Sequence, residues 1–384
     1  MKKIIFFFTL LVTFLHAYNQ EIGFKEIDSW VEDNPGKLIP IRIEFKDNID
    51  CFKLNQQFKD QQTPVNQRPK IVNRLLKEQA VKSQEFVIDF LKKQTSSKTY
   101  YHSFWIVNII VAQVDAATIE KLLQFSNISS IKIENNQFIA HDDFKESADN
   151  NRTPNGVENG LIAINAPAMW ALGYTGRGRL AYNYDTGVWP NHPAFSNRFI
   201  GDRFPMQQSW IGYFNTFPNG SIQNHGTHTL GTIAGLVEST NDTIGVAFGS
   251  YWIANDFVTS TVQALPPIVN MIEAFQWALN PDNDSSTTED VPDVINNSWR
   301  WYDGNDTIHC QGFVVNLMNA IEAAGIANVF SGGNSGPNNS SVNSPQRINT
   351  SEVNTFCVGS VNGNISFPYP ISNFSTRGPS QCSA

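Results

Sequence analysis

Cysteine is scarce in this chain: four residues in 384, at positions 51, 310, 357 and 382. That is too few for a disulfide scaffold, and none forms a Cys-x-x-Cys pair, which excludes a zinc ribbon. One disulfide among Cys310, Cys357 and Cys382 is expected in an oxidising compartment, with its pairing left open. Charge is sparse as well, at 16% of residues, and the net charge is −8. No run of lysines and arginines offers a track for phosphates, so nucleic acid is excluded as a general partner. Beyond the first residues, no stretch stays apolar long enough to cross a bilayer.

What is present begins with "MKKIIFFFTLLVTFLHAYNQ". Lys2 and Lys3 precede an apolar stretch from Ile4 to Leu15, and small Ala17 follows. This is the layout of a secretory signal peptide over residues 1–17, and its apolar part is too short to serve as a spanning anchor. It predicts a secreted protein, or one in the lumen of a secretory or lysosome-like compartment, with no membrane attachment after cleavage. Asn-x-Ser/Thr acceptors at Asn127, Asn219, Asn241, Asn305 and Asn364 fit that route. Hydrophobic residues make up 41% of the chain, enough for a sizeable core.

The segment 38–45, "LIPIRIEF", alternates like a strand, and residues 68–94 carry Ile71, Leu75, Leu76, Ala80, Phe86, Ile88 and Leu91 at helical spacing. A long β-branched and aromatic run over 103–114 has room for an extra strand. Asp115 is placed as the N-cap of a helix over 115–125, and 128–135 closes as a strand. Together these predict a small α+β domain over 18–138. Residues 139–160 lose all periodicity and read as a solvated linker. From 161 to 384, short strands ending in glycine-rich turns alternate with helices: "LAYNYDTGV", "HGTHTLGTIAGLV", "VNMIEAFQWALN", "PDVINNSW", "VVNLMNAIEAAG", "IANVFSGGN". That alternation predicts an α/β fold, a parallel sheet with helices on both faces.

Ligands of such sheets bind outside the carboxyl ends of the strands. Asp185 follows a strand there and is suited either to orient a histidine ring or to bond its own turn. His225 opens a helix among small residues, with His228 three positions on. With no glutamate between them and no further ligand in spacing, the pair does not read as a metal site. Asn334 in "FSGGNSGP" ends a strand, where its amide could donate to a developing oxyanion or simply make a turn.

Taken in order, "DTGV" with "HPAF", "HGTHTLGTIAG", "GVA", "DVINNSW", "GGNSGP" and "FSTRGP" resemble the subtilisin-like serine proteases (subtilases, peptidase S8). The resemblance runs from about residue 160 to the end, and the upstream α+β segment is similar to the family's I9-type inhibitor propeptide. It implies Asp185 as the orienting carboxylate, His225 as the general base, His228 as a structural residue and Asn334 as the oxyanion-hole amide. It also implies that substrate lies as an added strand along Asn297, Ser298 and Trp299. Protein or peptide substrates, the chain's own propeptide as intramolecular inhibitor and a maturation cut within 139–160 follow from the same resemblance. Calcium is the one cofactor it suggests, although no ligand set is legible.

The family's nucleophile stands in a Gly-Thr-Ser motif, and no Gly-Thr-Ser occurs among these residues. The expectation is therefore a secreted endopeptidase zymogen whose catalytic domain is C-terminally incomplete, with the nucleophile serine absent from this chain. The alternative is a truncated, non-catalytic relative acting as a binding or inhibitory protein. Ser335 is set aside as a substitute nucleophile. It suggests a double β-barrel protease, where histidine precedes aspartate, but here Asp185 precedes His225 and strands alternate with helices. Arg300 stands where relatives have glycine, which would narrow the cleft, favour acidic substrate residues, or point to solvent without effect.

Overall fold

A computed structural model describes residues 24–94, 100–134, 139–141, 156–220, 224–258, 268–302, 310–349 and 355–382. The expected signal segment, the acceptor Asn305 and most of the expected linker lie outside them. In chain order the first elements are α1 (Phe24–Asp33), β1 (Ile39–Phe45), α2 (Cys51–Asp60) and α3 (Arg68–Lys93). They are followed by β2 (Tyr100–Phe104), β3 (Ile109–Val114), α4 (Ala116–Leu122) and β4 (Ile128–Ile133).

The four strands form an antiparallel sheet in the order β2-β3-β1-β4. The alternation in β1 sends Ile39, Ile41, Ile43 and Phe45 to a buried face, where they pack with Ile110, Ile119 and Ile131. The apolar run over 103–114 becomes two strands because the chain turns between them, with Asn108 at a φ of +49°. Asp115 caps α4 as its sequence suggested, accepting from the Thr118 amide at 2.7 Å.

Contacts divide the chain into two units: residues up to Asn48 with Leu76–Asn135, and Ile49–Leu75 with Asn136–Ala384. The stretch 49–75, which includes α2, therefore belongs with the second unit rather than with its sequence neighbours. Specific contacts account for this. Asn55 Nδ2 donates to Glu322 Oε1 at 2.8 Å and Asn73 Nδ2 to the Leu279 carbonyl at 2.6 Å. Gly325, at a φ of +85°, leaves room for Val65, whose Cγ1 a Cβ at that position would meet at 2.7 Å.

The strands of the second unit begin with β5 (Ile139–His141), β6 (Gly156–Val157), β7 (Leu180–Tyr184), β8 (Trp210–Ile211) and β9 (Leu236–Val237). Next come β10 (Asp242–Thr243), β11 (Tyr251–Asn255), β12 (Val294–Asn297), β13 (Arg300–Tyr302), β14 (Ala327–Ser331) and β15 (Phe356–Val358). Its further helices are α5 (Asn159–Ala163), α6 (Ala166–Ala171), α7 (His225–Ala234), α8 (Ile268–Ala278) and α9 (Phe313–Ala323). The main sheet runs β15-β14-β12-β7-β11-β8, and every pairing in it is parallel. All five residues of β7 are buried, which requires cover on both faces of the sheet.

Both ends of the expected linker take up regular structure. β5 pairs antiparallel with β13, with His141 opposite Arg300 and Ile139 opposite Tyr302. β6 pairs with β10, and α5 follows directly. Strands of two or three residues are too short to show a period, so the sequence gives no sign of them. The disulfide joins Cys310 to Cys382, and Cys357 is free and exposed. Burial pushes the remaining thiol, Cys51, up to about 12. Among the described residues, no helix is long and apolar enough to cross a membrane.

Candidate functional site

β7 ends at Tyr184, and the next residue, Asp185, is fully buried where the strand becomes a turn. The turn needs Gly187, which sits at a φ of +103° against the Asn219 carbonyl. Helix α7 starts at His225 and comes close against this turn. Gly226 permits the approach, since a Cβ there would meet the Gly187 carbonyl oxygen at 2.1 Å. The run of small residues noted in the sequence thus has a specific use: it brings the first residue of the helix within reach of the end of β7.

The result is a short, buried contact in which His225 Nδ1–H donates to Asp185 Oδ1 at 2.6 Å. Side-chain exposure is 9% for the histidine and 1% for the aspartate. With the proton held on Nδ1, the ring's basic lone pair is on Nε2, the tautomer a general base requires.

The aspartate is itself held by its surroundings. Its Oδ1 also accepts from the Thr186 amide at 2.7 Å, and its own amide donates to Asn255 Oδ1 at 2.9 Å. Asn255 is anchored in turn by donating to the Tyr182 hydroxyl at 2.8 Å. The Thr186 hydroxyl accepts from the Gly226 amide at 3.0 Å, and Asn183 Nδ2 donates to the Gly226 carbonyl at 2.9 Å. Thr229 Oγ donates to Asp185 Oδ2 at 2.9 Å. Thr186, Thr229, Asn183 and Asn255 were not singled out from the sequence. Only Thr229 left a trace there, as a hydroxyl four residues after His225 and hence on the same helix face.

The other candidates are placed as follows. Asn334 is exposed on the loop after β14, two strands across the sheet from β7 and at the same carboxyl end. Ser335 Oγ on that loop accepts from Asn343 Nδ2 at 3.1 Å. Asn297 lies inside β12, which is paired on both sides, and its buried amide donates to Asn328 Oδ1 at 2.7 Å. Ser298 Oγ accepts from Asn296 Nδ2 at 3.1 Å. The Trp299 ring is in the aromatic core, 5.0 Å from Tyr184 and 5.6 Å from Phe330 between centroids. The antiparallel ladder with β5 starts just after it, at Arg300. The physical reason is that residues up to Asn297 already have neighbours on both sides, so a free edge opens only where the chain leaves the sheet. His228 is exposed. Among the described residues, no three His, Cys, Asp or Glu side chains stand together as metal ligands.

Residues 184–383 match the model of the subtilase family. The chain is 30% identical over 279 residues to Bacillopeptidase F of Bacillus subtilis, an alignment covering 67% of this chain and 19% of that protein. It is 29% identical over 182 residues to Subtilisin E of the same species, covering 47% of this chain and 41% of the relative. The chain therefore spans less than half the length of these relatives. Among solved structures, it is similar to a mutant of the epidermin leader peptide processing serine protease from Staphylococcus aureus. The TM-score is 0.52 at 15% identity, covering 89% of this chain and 73% of that one, and the likeness is one of fold.

Proposed function

The chain belongs to the subtilase family, and from that premise we propose that it is the precursor of a secreted serine endopeptidase. The observation that carries this reading is the buried 2.6 Å bond from His225 Nδ1 to Asp185 Oδ1 at the carboxyl end of a parallel sheet. In peptide hydrolysis His225 would take the proton of a serine hydroxyl and return it to the leaving amine. Asp185 would stabilise the imidazolium formed between the two transfers. We assign Asn334 to the developing oxyanion and, since Asn297 is already paired on both sides, the backbone of Ser298 and Trp299, where the chain leaves the sheet, to the edge beside which a peptide substrate lies.

The N-terminal segment, residues 18–138, is assigned as an inhibitory propeptide, with maturation by a cut within 139–160. The ladder of β5 on β13 supports this, because it lays the chain's own backbone antiparallel on the strand that follows Trp299. The signal segment 1–17 supports export.

Because no Gly-Thr-Ser is present, no nucleophile is assigned within these residues. That same observation favours a second reading, a non-catalytic relative that binds or inhibits. The test is to sequence the 3′ end of the transcript and express both its product and the 384-residue chain. The shorter chain is expected to resist labelling by a fluorophosphonate. If a Gly-Thr-Ser follows in frame, the longer product is expected to cleave casein and to lose roughly 10⁴-fold or more in kcat on His225→Ala. Labelling of the shorter chain at Ser335, or an unimpaired His225→Ala enzyme, would overturn the assignment. A transcript without the motif leaves the binding reading in its place.

A further inference from the structure

We propose that Thr229 is a positioning residue for the Asp185–His225 pair, an inference that rests on the acid–base reading above. His225 and Thr229 are four residues apart on α7, so their side chains leave the same face one turn apart. The helix uses both on one carboxylate: His225 Nδ1 bonds Oδ1 at 2.6 Å and Thr229 Oγ bonds Oδ2 at 2.9 Å.

The hydroxyl has one proton and three acceptors within reach. Asn183 Oδ1 is 3.3 Å away and the Gly226 carbonyl 3.2 Å, against 2.9 Å for Asp185 Oδ2. Both longer candidates are already engaged, Asn183 Oδ1 by Asn296 Nδ2 and the Gly226 carbonyl by Asn183 Nδ2. An anionic oxygen is also the stronger acceptor. The proton therefore goes to the carboxylate.

The chemical consequence lies in the carboxylate's freedom to turn. The Thr186 amide and the His225 ring both bond Oδ1. Thr229 supplies the bond on the opposite oxygen, which fixes the carboxylate plane and with it the direction from which Nδ1 is held. Without that donor Oδ2 becomes a buried anionic oxygen short of a partner, and rotation about Cβ–Cγ toward other donors loosens its hold on the imidazole.

The test needs no nucleophile and uses the 384-residue chain. The readout is the downfield His225 Nδ1–H resonance in ¹H–¹⁵N spectra of histidine-labelled protein at a pH where the imidazole is protonated. Thr229→Val is expected to lose this resonance to exchange with water, and Thr229→Ser to restore it. Thr232→Val, which removes an exposed hydroxyl that bonds only the His228 carbonyl, should leave it in place. Thr229→Ala serves where valine disturbs packing, with the same loss expected, and the remaining amide spectrum reports whether each variant is folded. A folded Thr229→Val or Thr229→Ala protein with the wild-type resonance overturns the role of Thr229. If instead no downfield resonance exists that His225→Gln removes, the underlying acid–base pair has failed rather than Thr229.

Discussion

The core around β1 in the first unit and the strand ends of the main sheet in the second are built on opposite principles. Around β1 the first unit packs aliphatic side chains, Ile39, Ile41, Ile43 and Phe45 against Ile110 and Ile131, and volume decides the fit. The second unit places amides and carboxylates at the ends of its central strands: Asn183, Asp185, Asn255, Asp256 and Asn297 have no exposed surface. Burial of that kind is costly unless the groups are bonded. Asp256 meets the condition in full, accepting from the amides of Tyr213, Phe214 and Asn215 and from Asn215 Nδ2. The comparison teaches that the core around β1 needs mainly to be filled, whereas the strand ends of the second unit must bond the polar groups they bury, and the candidate catalytic pair is built from that polar frame.

The contrast can be broken most directly at Asp256. Asp256→Ala strands several buried donors and is expected to destabilise the second unit by about 4 kcal/mol. Asp256→Leu, close to it in size, should be nearly as damaging. Urea unfolding read by tryptophan fluorescence would decide it, and a stable leucine variant would show that volume suffices here too. The aliphatic cluster around β1 should answer to volume alone. Ile43→Ala is expected to cost about 3 kcal/mol and Ile43→Val about 1 kcal/mol, a graded series that chemical denaturation can follow. A valine variant as damaged as the alanine one would contradict that reading.

The smallest effect concerns a polar group the second unit leaves incompletely bonded. Asp290 Oδ2 accepts from the Asp282 amide at 2.8 Å, but Oδ1 has no hydrogen-bond partner. Burial, with the nearby Asp282 charge, raises its carboxyl from 3.8 to about 6. The folded state therefore holds the proton more tightly than the unfolded chain. The stability gained from protonation is complete below about pH 4 and is lost as the pH rises through about 6. Asp290→Asn keeps an acceptor for the Asp282 amide and carries no charge. Its urea midpoint should exceed that of the wild type above pH 6, with the gap closing toward pH 4. A gap that stays constant across this range would show that Asp290 does not titrate as described.

Much of the architecture was legible before any coordinates. Asp115 as a cap, the helix over 68–94 and the alternation of strands and helices after 161 all arise from local spacing, and the structure reproduces them within a few residues, except that Phe86, read with the helix's apolar residues, is exposed. Other features were missed. The helix Cys51–Asp60, which Asp50 caps through the Lys53 amide, was not anticipated, nor was its place in the second unit. The buried disposition of Asn297 and the Trp299 ring was equally silent, because a residue's neighbours across a sheet are set by strand order.

The sequence by itself determined the element types, the order of the motifs and the two residues, Asp185 and His225, that the fold brings to 2.6 Å. Tertiary structure decided what holds them. The Asn255 side chain reaches the Asp185 amide across 70 positions of sequence, and Thr229 reaches the carboxylate across 44. Such partners depend on β11 pairing beside β7 and on a glycine at 226 that lets α7 close on the turn. Periodicity is a property of neighbours along the chain, whereas a hydrogen bond is a property of neighbours in space, and only packing converts one into the other.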